Sequence, residues 1–159
     1  MEKASKDEMK EIVRSILGKG YLMSLATSDG DGPWISEIVY VSDSDLNIYW
    51  ISNTESRHSK ALLGNPMVAG AITISDRPQQ PTEAVQISGI AQMIEGEFPE
   101  LARMRTEKMK FDSPIDENQL LAYNDKRYGG KHCWFKMTPI KMDILYKQRF
   151  GDDKAILEI

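Results

Sequence analysis

Residues 47–65 read Asn-Ile-Tyr-Trp-Ile-Ser-Asn-Thr-Glu-Ser-Arg-His-Ser-Lys-Ala-Leu-Leu-Gly-Asn, and the two halves carry different structural signals. Ile48 to Ile51 is a short run of β-branched and aromatic residues, the composition of a buried strand. Thr54 or Ser56 can then serve as a helix N-cap. A short amphipathic helix follows through Leu62 and Leu63 and stops at Gly64-Asn65-Pro66. At the junction, Ser56, Arg57, His58, Ser59 and Lys60 bring hydroxyls, a guanidinium, an imidazole and an ammonium into consecutive positions. A helix start offers free backbone N–H groups and the positive end of the dipole, so this composition suits a phosphate or another anion. A solvated basic turn would have the same composition.

Upstream, Met9, Ile12, Val13, Ile16 and Leu17 recur at helical spacing, with Ser5 as a cap and Gly18 as a stop. Tyr21 to Thr27, Trp34 to Val41 and Leu46 to Ile51 read as three strands. They are joined by the turns Asp29-Gly30-Asp31-Gly32-Pro33 and Ser42-Asp43-Ser44-Asp45, the signature of an antiparallel meander. Downstream, Met67 to Ile74 and Ala84 to Glu95 read as further strands around a loop at Pro78 to Pro81. Gly89 marks a bulge or bend in the second of them. A helix from about Glu97 carries Phe98, Leu101, Met104 and Met109, and a second short one is expected over Glu117 to Asn124. Cys133 to Met137, Lys141 to Lys147 and Ala155 to Ile159 close the chain as strands, the first two separated by Thr138-Pro139. Antiparallel strands in this number, with a few helices beside them, predict a β-rich α+β domain: a six- to seven-stranded antiparallel split β-barrel with flanking helices. A barrel this small fills its own interior, which leaves a large ligand the outer wall or a subunit boundary.

The 159 residues suit one domain with its own core. Hydrophobic residues make up 41% and charged residues 28%, an ordinary globular balance. The formal net charge of −4 argues against a nucleic-acid partner and sets the basic cluster apart as a place for a small anion. One cysteine, Cys133, leaves no internal disulfide and no cysteine-rich metal site. No apolar run approaches the roughly 20 residues of a membrane span, and the N-terminus lacks an apolar signal core. A cytoplasmic protein is expected.

Ile51-Ser52-Asn53-Thr54-Glu55-Ser56-Arg57-His58 resembles the Tyr-Thr-Asn-x-x-Ser-Arg-Lys motif of pyridoxamine 5′-phosphate oxidase. Gly64-Asn65-Pro66-Met67-Val68-Ala69 resembles its continuation, and Gln86-Ile87-Ser88-Gly89 a later strand of the same enzyme. The resemblance covers roughly Lys19 to Gly96 and implies an FMN-binding split barrel, a homodimer with two flavins at the interface acting on a small molecule. Carried over residue by residue, it implies that Ser56 and Arg57 bind the FMN phosphate. His58 stands where the oxidase has lysine, and Lys60 could supply the missing ammonium. Ile51, Ser52 and Asn53 would line the isoalloxazine edge. Glu37, Ile38 and Val39 would lie under the ribityl chain and ring, Gln86 would approach the polar edge of the flavin, and Trp134 would cap the ring from the partner chain. The basic residues that the oxidase places around the strand matching Ser36 to Val41 are missing, as is its C-terminal Arg-x-His segment. Oxidation of pyridoxamine phosphate is therefore not the expected activity.

Other residues have plainer readings. Trp34 and Trp50 are expected in packing, and Met93, Met104, Met109 and Met142 in the core. His132-Cys133 lacks the partners of a metal site. Ser56 and His58 are too close in sequence to be expected to face each other as nucleophile and base. No acid–base residue is assignable. Two alternatives keep the fold: a deazaflavin-dependent reductase, with Lys131, Lys136 and Lys141 along the cofactor's acidic tail, or a non-catalytic protein that binds heme or a flavin, with His58 or His132 as the axial ligand of a heme.

Overall fold

The computed structural model describes residues 4–74, 79–109 and 131–159. In chain order the elements are α1 (Lys6–Lys19), β1 (Leu22–Asp29), β2 (Gly32–Ser42), β3 (Ile48–Asn53), α2 (Arg57–Gly64), β4 (Met67–Thr73), β5 (Glu83–Ile94), α3 (Pro99–Met109), β6 (His132–Tyr146), α4 (Lys147–Phe150) and β7 (Ala155–Glu158). The short helix expected over Glu117 to Asn124 lies outside the described residues.

All pairings are antiparallel, in the order β3-β2-β1-β4-β5-β6-β7, and β3 also pairs with β6. That last pairing closes six strands into a barrel and leaves β7 as an extra strand beside the second half of β6. Inward positions alternate along each strand: Met23 and Leu25, Ile48 and Trp50, Val68 and Ile72, Val85 and Ile87 are buried. Trp50 stacks on Phe135 in the interior with ring centroids 5.7 Å apart, so side chains occupy the middle of the barrel.

Each end of the barrel has its own plug. At one end lies α1, capped by the Ser5 hydroxyl accepting from the Glu8 N–H, with Val13, Ile16 and Leu17 in the core. It runs through Gly18 to Lys19, and Gly20 forms the C-cap. The Tyr40 hydroxyl donates to the Leu17 carbonyl at 2.8 Å and ties the helix to the barrel. At the other end, α2 connects β3 to β4, which are not neighbours. It therefore crosses the mouth past β2 and β1, burying Ser59, Ala61 and Leu62.

β6 is one strand rather than the two that Thr138-Pro139 led the sequence to suggest. Its partner register jumps from Gly89↔Pro139 to Ser88↔Lys141, so Ile140 is an extra, bulged residue. Proline is tolerated there because a bulge already interrupts the ladder. The insertion also reverses the inward parity. Phe135 and Met137 point in before it, Met142 and Ile144 after it, and Lys141 and Asp143 stay outside as an ion pair at 3.3 Å.

Helix α3 covers part of the outer wall, where Trp134, Val41 and Ala102 form a second buried cluster flanked by Ile51, Phe98 and Leu101. The wall made by β1, β4 and β5 carries no described helix. It shows small residues, Ser24, Ala26, Ala69, Ala71 and Ser88, between exposed Leu22, Ile35, Met67 and Ile90.

Candidate anion notch at the mouth of the barrel

The chain leaves β3 through a turn that Asn53 builds. Its Oδ1 accepts from the Glu55 N–H at 2.9 Å, and its carbonyl accepts from the Ser56 N–H at 3.1 Å and the Ser56 hydroxyl at 2.8 Å. Ser56 occupies the N-cap position of α2, yet its hydroxyl makes no capping bond, and no acidic residue lies in the first turn. The Ser56 hydroxyl turns instead to Asn53 and, at 2.8 Å, to Ser59. The N-terminal N–H groups and the positive dipole end are thus left without a side-chain acceptor, the arrangement that an anion completes.

His58 sits half-buried among hydroxyls. Its Nε2 lies 2.9 Å from Ser52 Oγ and 3.1 Å from Ser56 Oγ, and its Nδ1 lies 3.1 Å from Ser36 Oγ. Ser56 and His58 therefore do meet, contrary to the expectation from their spacing, because Ser56 lies outside the helix with extended backbone angles. No carboxylate faces Nδ1, so the cluster has a serine where a catalytic triad has its acid. Burial pushes the imidazole below its usual pKa, which makes it neutral at neutral pH.

The sign of the resulting pH dependence follows. The unfolded chain takes up a proton at this histidine as pH falls through about 6.5, and the folded chain resists. Its share of stability is complete above that pH and is lost as pH falls toward the folded value. In proton NMR, the His58 ring resonance, assigned by its absence in His58→Gln, should titrate below the usual 6.5 of a histidine. A midpoint at or above that value would contradict the burial argument.

Arg57 is half-exposed and already engaged. Its Nε and Nη2 donate to the two Asp29 carboxylate oxygens at 2.8 and 3.0 Å, and its guanidinium lies 4.5 Å from the centre of the Trp34 ring. Arg57 in turn holds the Asp29 carboxyl below its usual pKa. Lys60 pairs with Glu55 at 2.9 Å instead of reaching back over the first turn. The concentrated positive charge expected at this junction is therefore compensated cation by cation, by Glu55 within the turn and by the distant Asp29. Nothing local announced Asp29, which lies on β1. Ser59, by contrast, stands three residues after the N-cap, a spacing that brings it back beside Ser56.

The other residues named from the sequence fall in three places. Glu37 and Gln86 lie on one cross-strand line of the open wall, through Ser24 and Ala71. Glu37 accepts from Ser24 at 2.7 Å, and Gln86 accepts from Lys154 at 2.7 Å. Val39 is half-buried opposite Leu22, whereas the Ile38 side chain points into the core. Ile51 lies under α3 with Trp134, its partner across the strands. Trp134 is only 1% exposed, held between Val41 and Ala102, so its indole is not free to cap a ring held by another chain. Of the lysines considered for a longer acidic tail, Lys136 lies over Tyr49 and Lys141 pairs with Asp143. The Nδ1 of His132 is buried without a hydrogen-bond partner.

This closed six-stranded barrel with an added strand and a helix across its mouth is the pyridoxamine 5′-phosphate oxidase-like fold. The chain belongs to that family: the family profile described as pyridoxamine 5′-phosphate oxidase matches residues 6–145. A UPF0306 protein of Photorhabdus laumondii is 27% identical over 134 residues, 78% of this chain and 94% of the relative. Among solved structures, general stress protein 26 of Bacillus anthracis superimposes with a TM-score of 0.64 at 16% identity, over 95% of this chain and 98% of the other. A heme binding protein of Mycobacterium smegmatis does so with a TM-score of 0.67 at 19% identity, over 99% of this chain and 60% of the other. The fold is thus shared by a protein described as a heme binder, and the family alone does not choose the ligand. No described helix is long and apolar enough to cross a membrane.

Proposed function

We propose that this chain is an FMN-binding split barrel that works as a cytoplasmic homodimer, a flavin-dependent oxidoreductase for a small molecule. The observation that carries the reading is the uncapped first turn of α2 beside the Ser52, Ser56, Ser59 and His58 cluster. Hydroxyl donors and free helix N–H groups fit a phosphate monoester. In this reading Ser56 and the N–H groups of the first turn hold the phosphate, and Arg57 adds the one guanidinium nitrogen, Nη1, that Asp29 leaves uncommitted. His58 is a neutral hydrogen-bonding partner that orients the serines. Bound FMN supplies the hydride- or electron-transfer chemistry, and the barrel positions it.

The open wall of β1, β4 and β5 supports a second copy as the partner. It is built of small residues and ringed by exposed Leu22, Ile35, Met67 and Ile90, the kind of surface that marks an interaction site. Glu37 and Gln86 on that wall are then available to the ring of a flavin lying between the copies.

A heme would need a histidine nitrogen at its iron. Both His58 nitrogens face serine hydroxyls, which leaves the Nε2 of His132 as the histidine nitrogen for that alternative, whereas the hydroxyls and N–H groups at the start of α2 support the flavin reading. The absorption spectrum of the purified protein, before and after incubation with each cofactor, tests this. A two-banded flavin spectrum that stays with the protein through gel filtration at the dimer position is the expected result. A lone deazaflavin band or a sharp Soret band would overturn the choice of FMN.

A further inference from the structure

The Arg57 guanidinium is enclosed on two sides: Asp29 takes Nε and Nη2 in a bidentate pair, and Trp34 covers a face. The carboxylate is itself fixed, because Asp29 Oδ1 also accepts from the Asp31 N–H at 2.9 Å, across the turn between β1 and β2. Both side chains are partly covered, with 35% of Arg57 and 24% of Asp29 exposed. Asp31 adds a second negative charge to the same hairpin. A phosphate that sought the whole guanidinium would have to strip Asp29 of its partner and leave a half-buried carboxylate uncompensated. A phosphate that left the pair intact would meet a neutral ion pair, not a cation.

We propose that Asp29 is the specificity-determining residue of this site. By cancelling Arg57, it leaves the notch to recognise a ligand's phosphate mainly through hydroxyls and helix N–H groups, so that phosphorylated ligands are preferred by less than an unpaired guanidinium would give. The inference rests on the flavin reading above and adds which residue limits the preference for the phosphate. The guanidinium charge that would widen the gap between FMN and riboflavin is present in the sequence but is largely spent within the chain. An uncompensated cation sharpens discrimination by a charged tail, and Asp29 removes it.

The test titrates FMN and riboflavin against the wild type, Asp29→Asn and Arg57→Gln by quenching of flavin fluorescence. Asparagine keeps an acceptor for the Asp31 N–H, so the hairpin is retained. Freeing the guanidinium in Asp29→Asn should raise FMN affinity about tenfold, equivalent to about 1.4 kcal/mol, and leave riboflavin unchanged. Arg57→Gln removes the guanidinium and leaves the Asp29 carboxylate uncompensated beside the phosphate, so it should lower FMN affinity and leave riboflavin unchanged. If Asp29→Asn shifts both flavins alike or neither, or if Arg57→Gln binds FMN as the wild type does, Asp29 does not set specificity, while the flavin site stands. If no form binds either flavin, the flavin reading fails and this inference fails with it.

Discussion

Gly89→Ala is expected to destabilise the chain by about 2–3 kcal/mol, as overpacking of a filled interior does. A Cβ at Gly89 would stand 2.5 Å from the Thr138 carbonyl oxygen and 3.0 Å from Met137 Cε. The methionine tip can move, but the carbonyl belongs to the strand paired with Gly89 and cannot move without opening the ladder. The position also sets the bulge. Gly89 faces Pro139 at the step where Ile140 is skipped, and the bulge keeps Met142 and Ile144 inside and Lys141 and Asp143 outside. A one-residue slip would reverse those faces. Gly18 supplies the control. It is exposed, in the last turn of α1, with nothing within 4 Å of a Cβ built there, so Gly18→Ala should stabilise by about 0.4–1 kcal/mol. Urea denaturation measures both. At about 2–4 °C per kcal/mol for a chain of this size, the two alanines should also move the melting temperature in opposite directions. A Gly89→Ala protein as stable as the wild type would mean that the strands are not held at this close approach.

Much of this barrel was legible in the residues. The change of period at Asn53, from the alternation of Ile48 and Trp50 to the helical spacing of Ser59 and Leu62, marks where β3 gives way to α2. Gly89 marked the place of the irregularity, although the extra residue, Ile140, lies on the facing strand and Gly89 itself allows the close approach. Pro139 misled for the complementary reason. Its missing N–H normally ends a strand, and only the pairing with Gly89 shows that the ladder is already broken there. The parity change between Met137 and Met142 is a trace of the bulge in the sequence itself.

The site was less legible. Composition placed the anion notch, but composition cannot show that the acid opposite Arg57 comes from β1, brought near only when the barrel closes. Nor can alternation tell which outer wall a helix will cover. Trp134 points outward from the barrel, and it is α3 that turns this outward residue into a buried one.

The central claim is that the first turn of α2 receives a phosphate. Ser56→Asp tests it at a position where aspartate is among the favoured N-cap residues and Ser56 makes no cap bond to lose, although the hydroxyl's bonds to Asn53 and Ser59 go with it. The new carboxylate would take the N–H groups of the first turn and set a negative charge where the phosphate is to lie. Its effects should therefore separate: helix stability held or raised by about 0.5–1 kcal/mol, FMN affinity lowered tenfold or more, about 1.4 kcal/mol at least. Riboflavin, which lacks the phosphate, should bind the two forms alike. The decisive measurement is the flavin fluorescence titration of wild type and Ser56→Asp with both ligands. Loss confined to FMN is the predicted result, and FMN affinity equal in the two proteins would contradict the account.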